Sequence, residues 1–537
     1  MKKGYAIVAM YVETLLFGVL ISFSGIASAN DNCMERDISD YQWKLRHRGG
    51  LPAQIEQEPG TLLEQCIRLK GVGPHPLKLT SRDIEIAHNS DSFKAGGEFT
   101  IKEGDTLRLR VQAPVGNGVG KTYRLVFNET DPDRRRDVFR LRWPVQTRND
   151  SRAPKTWHVG PSSPTYREVK DVLKLLSAGD TIILEPGATY QAFEAKEISG
   201  TRAQPITLKS NATDASKRAV IEGGTKRFNW TMGLTSSHNW VVENVILQGG
   251  GLCVRHASDN TTLRNVLIRH CKTGVLSTDF DSGDLTLDAV EIYDAGGKEK
   301  GRPWNHGIYV ASDQHTFPGA TFTLENSYLH DLRGNAVKSR FENSVIRHNW
   351  IENGAEKQSR YLVEVIGYDG QYDFDGQHHE VTDNMLVHRM PGLGSRAGGD
   401  GKSPSRGDTV FARNYFVIDG NYNRSMVRTF QGLNSLEVTD NRLVYLASPT
   451  KTTLVTDEVK DAGWEQGTPV ITVSGNRVTG TTKLLERTAQ GAVMSGKPQI
   501  AVKDNDTSGF GRLQRDTLDK MRPEQDGYIQ LPDWPDL

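Results

Sequence analysis

NHGIYV (305–310), TLENSYLH (323–330), GNAVKSR (334–340), NSVIRHNWIENG (343–354) and YLVEVIG (361–367) are short apolar-alternating runs punctuated by Asn, Gly or Asp. Alternation with period two predicts strands, and strand words that return at a near-constant interval predict a stacked solenoid. The form recurs outside this stretch, in WVVENVILQGG (240–250), TTLRNVLIRHC (261–271), LTLDAVEIYDAG (285–296), EVTDNMLVHRM (380–390), VFARNYFVIDG (410–420) and LEVTDNRLVYL (436–446). Its polar anchors are Asn244, Asn265, Asp288, Asn326, Asn349, Asn384, Asn414 and Asn441, spaced by 21, 23, 38, 23, 35, 30 and 27 residues. A rung near 22 residues with insertions on one side accounts for these intervals. Asn at each turn tolerates the left-handed conformation, and its amide can bond to the same group one rung away, so the anchors are read as structural. Eight to eleven rungs at about 4.8 Å predict a rod of roughly 40 to 50 Å.

Working outward, the 537-residue chain has a modest apolar fraction (36%), 53 glycines and a formal charge of zero. No domain-wide excess of Lys and Arg is present, which argues against a nucleic-acid binder, and the run Arg134–Arg136 reads as a solvated loop. Lys2 and Lys3, an apolar run from Leu15 to Ile26 and Ala27-Ser28-Ala29 form a secretory signal pattern over 1–29, so a periplasmic or secreted location with no membrane span after cleavage is expected. In an oxidising compartment the four cysteines allow two disulfides, and proximity favours Cys33 with Cys66 and Cys253 with Cys271, free buried thiols being the alternative for the second pair.

EFTIKEGDTLRLRVQAP (98–114), KTYRLVFNE (121–129) and DVFRLRWPV (137–145) lack the Asn repeat and predict a separate N-terminal β-rich module over 30–149, joined by a Ser- and Pro-rich linker at 150–164. Thr165 with Glu168 is a capping-box pattern, and Val169, Val172, Leu173 and Leu176 share one face before Gly179. This predicts a capping helix at the start of an all-β solenoid. With the strand and Pro-Gly turn of AGDTIILEPGATY (178–190) after it, the segment resembles the opening of right-handed parallel β-helix proteins, including many pectate-lyase-like enzymes, which implies such a β-helix over 165–500. RLQRDTLDKMRP (512–523) predicts a second short helix inside a C-terminal cap and tail over 501–537.

Strand parity selects candidates for chemistry. Inward Ile308, Val310, Val337, Val363 and Val365 place Tyr309, Lys338, Arg340 and Glu364 outward, and the same argument places Arg255 and Arg428 outward. If these strands share a sheet, they present one row of proton-transfer and charge-pairing groups. Such a row suits β-elimination of an acidic polysaccharide, in which a base takes the proton beside a carboxylate, a cation holds that carboxylate and an acid protonates the leaving oxygen. Catalytic candidates are Lys338, Arg340, Tyr309 and His306, with the like charge of Arg340 expected to depress the Lys338 pKa. Arg255, Glu364, Arg360 and Arg428 are candidates for substrate binding. His306 and His330 also read as hydrogen-bonded structural residues at turns.

KSRFENSVIRHNWIENG (338–354) resembles the lysine-bearing segment of the chondroitinase B-like and alginate-lyase β-helix enzymes of polysaccharide lyase family 6. The resemblance implies a polysaccharide lyase with Lys338 as catalytic base. Asn343 stands one place further from the lysine than in that family, and LVEVIG, with Glu364, replaces the segment that carries the family's arginine. The family's calcium site does not transfer, so calcium stays open and no other cofactor is implied. Over about residues 157–480 the chain is also similar to largely uncharacterised bacterial β-helix proteins that share HGIY, SYLH and VKSR in this order.

The leading expectation is therefore an exported lyase whose partner is a uronate-containing polysaccharide, the oligomeric state being open. A uronan epimerase would use the same groups. A non-catalytic carbohydrate-binding or exopolysaccharide-assembly protein would display aromatics such as Tyr361, Tyr368, Tyr372 and Phe374, and a glycoside hydrolase would need a carboxylate pair drawn from Glu364, Asp369, Asp373 and Asp375.

Overall fold

The computed structural model describes residues 33–534 apart from 39–47, 74–75, 130–138, 225–229, 279, 297–304, 354–360, 368–375, 390–393, 400–404, 406, 420–424, 431–432, 447–451, 459–469, 479–481, 488–498 and 509–512. The signal pattern at 1–29, Arg134–Arg136, Arg360, Tyr368, Asp369, Tyr372, Asp373, Phe374 and Asp375 lie outside the described residues.

The N-terminal module is a nine-stranded, mainly antiparallel β structure between Met34–Asp37 and Phe139–Thr147. Alternating residues of its strands, among them Ile67, Leu69, Leu79, Leu107, Leu109, Leu125 and Trp143, form its own buried core, and Cys33 is bonded to Cys66. The module docks sideways on solenoid turns. Ala53 N–H donates to Thr316 O (2.8 Å), Asn239 Nδ2 to Glu56 Oε1 (3.0 Å), and Arg142 pairs with Asp281 (2.9 Å).

From Thr156 onward every strand pairs in parallel with its counterpart one coil away, in three sheets of 13, 10 and 11 strands. Sheet one runs from Thr156–Val159 to Gln499–Lys503, sheet two from Thr189–Gln191 to Arg442–Tyr445, and sheet three from Phe193–Lys196 to Lys483–Arg487. The chain visits one, two and three in turn, which makes a parallel β-helix. Its thirteen strands exceed the expected eight to eleven rungs, giving roughly 58 Å at about 4.8 Å per rung. Ile182, Leu208, Val242, Leu263, Leu287, Leu324, Ile346, Val381, Phe411, Val438 and Val473 stand in one inward column of sheet one, all fully buried. Truncating one of the leucines to Ala is expected to cost about 2–5 kcal/mol, since a stacked column collapses poorly around a void. Cys253 and Cys271 are bonded inside this core.

The turn from sheet one to sheet two divides the two tasks assigned to the Asn anchors. The left-handed position is held by Asn244, Asn265, Ala289 and Asn326, then by His348, Asp383, Arg413 and Asp440. The residue after it points inward, and along the rod this column changes from Val245, Val266 and Val290 through Ser327 to Asn349, Asn384, Asn414, Asn441, Asn476 and Asn505. Each of these Asn, up to Asn476, donates from Nδ2 to the next Asn Oδ1 at 2.9–3.0 Å. The same Oδ1 also accepts the preceding Asn's backbone N–H, for example Asn384 N to Asn414 Oδ1 at 3.1 Å. A buried amide column of this kind leaves no donor unsatisfied.

Three boundaries differ from the sequence reading. Thr156–Val159, expected in the linker, is the first strand of sheet one. The expected capping helix is a pair of 3₁₀ turns, Val169–Asp171 and Leu173–Leu175, and its capping box is Glu168 with Asp171 rather than Thr165 with Glu168. The C-terminal helix forms at Arg515–Met521, but this segment does not cover the open end. Leu513, Leu518, Met521, Ile529, Leu531 and Trp534 lie along the outer face of sheet two, against Tyr328, Trp350, Met385, Val387, Tyr415, Val417 and Val444. Polar anchors fix it: Asp526 N–H donates to both oxygens of Glu291 (3.1 and 2.9 Å), and Tyr528 Oη donates to Ala212 O (2.9 Å).

Candidate functional site on the third sheet

Chain length between strands singles out sheet three. From Trp240–Glu243 onward one or two residues join each sheet-one strand to sheet two. By contrast, 14 residues (294–307) and ten (353–362) precede the sheet-three strands Ile308–Ala311 and Val363–Ile366, while nine (312–320), ten (367–376) and twelve (458–469) follow Ala311, Ile366 and Asp457. In the chain, these insertions thus fall before and after strands of sheet three. Sheet two is covered by the C-terminal segment.

The register of sheet three aligns Arg255, Leu276, Tyr309, Lys338, Glu364, Arg396 and Arg428 on consecutive rungs, followed by Thr456 and Glu486. Lys338 Nζ is 5.0 Å from the centroid of the Tyr309 ring and 3.8 Å from Glu364 Oε2. Glu364 is 2% exposed and is held from three sides, by Lys338, by Arg396 Nη1 at 2.8 Å and by Asn335 Nδ2 at 2.7 Å. Asn335 also donates its backbone N–H to His306 Nδ1 (3.1 Å) and accepts the Tyr361 N–H at Oδ1 (3.3 Å), so one residue, through its backbone and its side chain, ties Glu364, His306 and Tyr361 together. The His306 ring meets Tyr309 edge-on at 5.4 Å.

Further along, Arg428 makes a two-pronged bond to Glu458 (Nε 2.8 Å, Nη2 2.7 Å) and reaches the Tyr361 hydroxyl through Nη1 (3.2 Å). Burial pushes the Tyr361 phenol above its usual pKa, against the lowering effect of Arg428 and Arg396. The guanidinium groups of Arg396 and Arg428 both lie about one ring's width above Phe430, at 5.0 and 4.9 Å. The result is a strip of cations whose charged heads lie over aromatic rings and whose positions are fixed by neighbouring carboxylates.

The candidate residues occupy different positions in this strip. Tyr309, Lys338, Glu364 and Arg428 stand in the row. Arg340 has the outward parity but is 5% exposed, donating Nη1 to Gly367 O (3.0 Å) with its guanidinium 6.0 Å from the Tyr309 ring, which makes it a brace for the turn. Lys338, over the same ring, has its ion-pair partner in Glu364. Arg255 stands apart, two rungs from Tyr309 beyond Leu276, bonded to Thr235 Oγ1 (2.7 Å) over Trp230 (5.2 Å).

Arg396 was missed by parity because its strand, Ser395-Arg396-Ala397-Gly398, has no large apolar residue to mark the inward side. The register that sets it one rung beyond Glu364, and the ion pair between them, are visible only in the fold. Among the described residues no group of three or more His, Cys, Asp or Glu is placed to hold a metal ion.

No protein-family model matches the chain, and no curated protein matches it significantly. Solved structures similar to it include an alginate lyase from Paenibacillus sp. str. FPU-7, 17% identical over 66% of this chain and 99% of that one, with a TM-score of 0.33. A rhamnogalacturonan lyase (10% identical, 71% and 96% covered, TM-score 0.41) and the pectate lyase Pel9A (11%, 72% and 90%, TM-score 0.41) are also similar. The β-helix itself rests on the chain's own three sheets.

Proposed function

We propose that the chain is an exported polysaccharide lyase that cleaves a uronate-containing polymer by β-elimination on sheet three. The observation that carries this reading is the row Tyr309–Lys338–Glu364–Arg396–Arg428 on the sheet whose strands the long insertions precede and follow. Rungs about 4.8 Å apart match the length of a pyranose ring, so an extended polymer meets one row residue per sugar. Arg396, or Arg428 one rung on, neutralises the substrate carboxylate and makes the neighbouring C5–H acidic. Lys338, once its ammonium has released a proton to solvent, takes the C5 proton, the C–H electron pair forms the C4–C5 double bond, and the C4–O bond breaks. The Tyr309 phenol gives its proton to the departing oxygen, and solvent returns the proton from Lys338 to Tyr309. Glu364 fixes Lys338 and Arg396 from below.

The test is incubation of the mature protein with alginate, polygalacturonate, rhamnogalacturonan and chondroitin sulfate, following absorbance of the unsaturated uronate. A signal that disappears in Lys338→Ala is expected. No signal on any polymer, or an unchanged rate in the variant, removes the reading. The aromatic rings along the strip, Tyr309 and Phe430, favour a second reading, a non-catalytic carbohydrate-binding face. Polymer binding without product release would identify it.

A further inference from the structure

We propose that a cleft at the corner between sheets one and two is a separate binding site for an uncharged oligosaccharide. The cleft has a volume of about 610 Å³, within the usual range for small-molecule sites. It lies at the corner opposite sheet three and shares no residue with the row there.

One wall is the indole of Trp534, brought in by the C-terminal segment and fixed by its N–H donating to Asp383 O (2.6 Å), with His348 at 5.4 Å and Trp350 at 6.3 Å. The other contains Tyr415 with the Arg442 guanidinium 5.3 Å above its ring and bonded to its hydroxyl (2.6 Å). The floor is the outward side of the left-handed turn column, His348, Asp383, Arg413 and Asp440, one residue per rung. Arg413 grips Asp383 at 2.7 and 2.6 Å and is still 57% exposed.

Three features define the ligand. The arginines Arg347, Arg413 and Arg442 are balanced by Asp383, Asp440 and Asp533, so the lining selects neither a net anion nor a net cation. Acceptors and donors alternate along the floor at about 4.8 Å, close to the length of a pyranose ring, as pairs of sugar hydroxyls require. Trp534 supplies an apolar plane for a sugar's C–H face. A peptide finds little here, because the flanking strands Arg347, Asp383 and Arg413 border already have both neighbours in their sheets.

The test is calorimetric titration with 1,4- and 1,3-linked glucohexaose and with hexagalacturonate, on wild type, Lys338→Ala, Trp534→Ala and Arg413→Ala. An uncharged hexaose is expected to bind wild type and Lys338→Ala equally, with affinity falling at least tenfold in Trp534→Ala and at least threefold in Arg413→Ala. Arg413→Ala leaves the C-terminal segment untouched, so a loss there is not undocking of Trp534. Binding of neither glucohexaose, binding of hexagalacturonate alone, or full affinity in both cleft variants overturns the proposal. Lyase activity is independent of each of these outcomes.

Discussion

Two columns of polar side chains climb this molecule at the same rung spacing, the amides Asn349 to Asn505 inside one corner and the row Tyr309 to Arg428 on sheet three. In the first, chemically identical neutral groups bond to each other, and the members from Asn349 to Asn476 are at most 1% exposed. In the second, residues from Tyr309 to Arg396 differ in charge and proton affinity from one rung to the next, and Lys338, Arg396 and Arg428 keep 15%, 14% and 21% of their side chains exposed. Repetition of one residue satisfies the backbone, whereas variation along a register creates a site. Stacking by itself distinguishes nothing; the distinction lies in whether each group's bonding capacity is used up within its own column.

Substitutions can break that comparison. The largest expected effect is on activity: Lys338→Ala should reduce elimination about 10²–10⁴-fold while changing stability by about 1 kcal/mol or less, as for a partly exposed ion pair. Turnover assays beside thermal melts check both. A large melting shift would place Lys338 with the structural column instead.

Asn414→Ala should do the reverse. It removes the acceptor of Asn384 N–H and Nδ2 and the donor to Val381 O, leaving buried groups unpaired at about 3 kcal/mol in total. Chemical denaturation measures the loss, and residual folded enzyme should keep near-normal turnover. Glu364→Gln tests the link between the classes. It retains shape but removes the charge opposing Arg396, for an expected cost of about 2 kcal/mol together with a rise in KM, since Arg396 loses its fixed position. Unchanged KM would show that Arg396 does not meet substrate.

The smallest global effect concerns sheet two. Burial pulls His330 down, but hydrogen bonds to Asp331 (2.8 Å) and Glu291 (3.0 Å) outweigh it and hold the pKa up at about 9. The ring is stacked between Tyr293 and Tyr328, and the same Glu291 receives the Asp526 N–H of the C-terminal segment. Because the folded value lies above the unfolded value of about 6.5, its contribution is complete below that pH and is lost as pH rises through about 9. Hydrogen exchange of residues 513–534 should therefore speed up between pH 7 and pH 10 after correction for intrinsic rates, and less so in His330→Gln. Equal protection at both pH values would refute the linkage.

The third sheet was legible in the sequence because Ile308, Val337 and Val363 mark the buried side and so fix the direction of Tyr309, Lys338 and Glu364. Arg396 was not, for want of such a marker. Sheet two carried a signal that alternation hides: Met385-Leu386-Val387 and Tyr415-Phe416-Val417-Ile418 are apolar on both faces, which means both faces are covered. The covering segment lies about a hundred residues away in sequence, and nothing local in it names its target.

By itself the sequence determined the strands, their inward sides, the repeat and the stacked turn, because these depend on period and on residue type at neighbouring positions. Only the tertiary structure decided which strands share a sheet, that Arg396 joins Lys338 around Glu364, that left-handed and ladder positions are adjacent residues, and that Trp534 closes a cleft over the corner. Insertions of variable length separate the rungs, so sequence distance does not report spatial register, and the pairing is settled only when the backbone bonds of each coil close on the next.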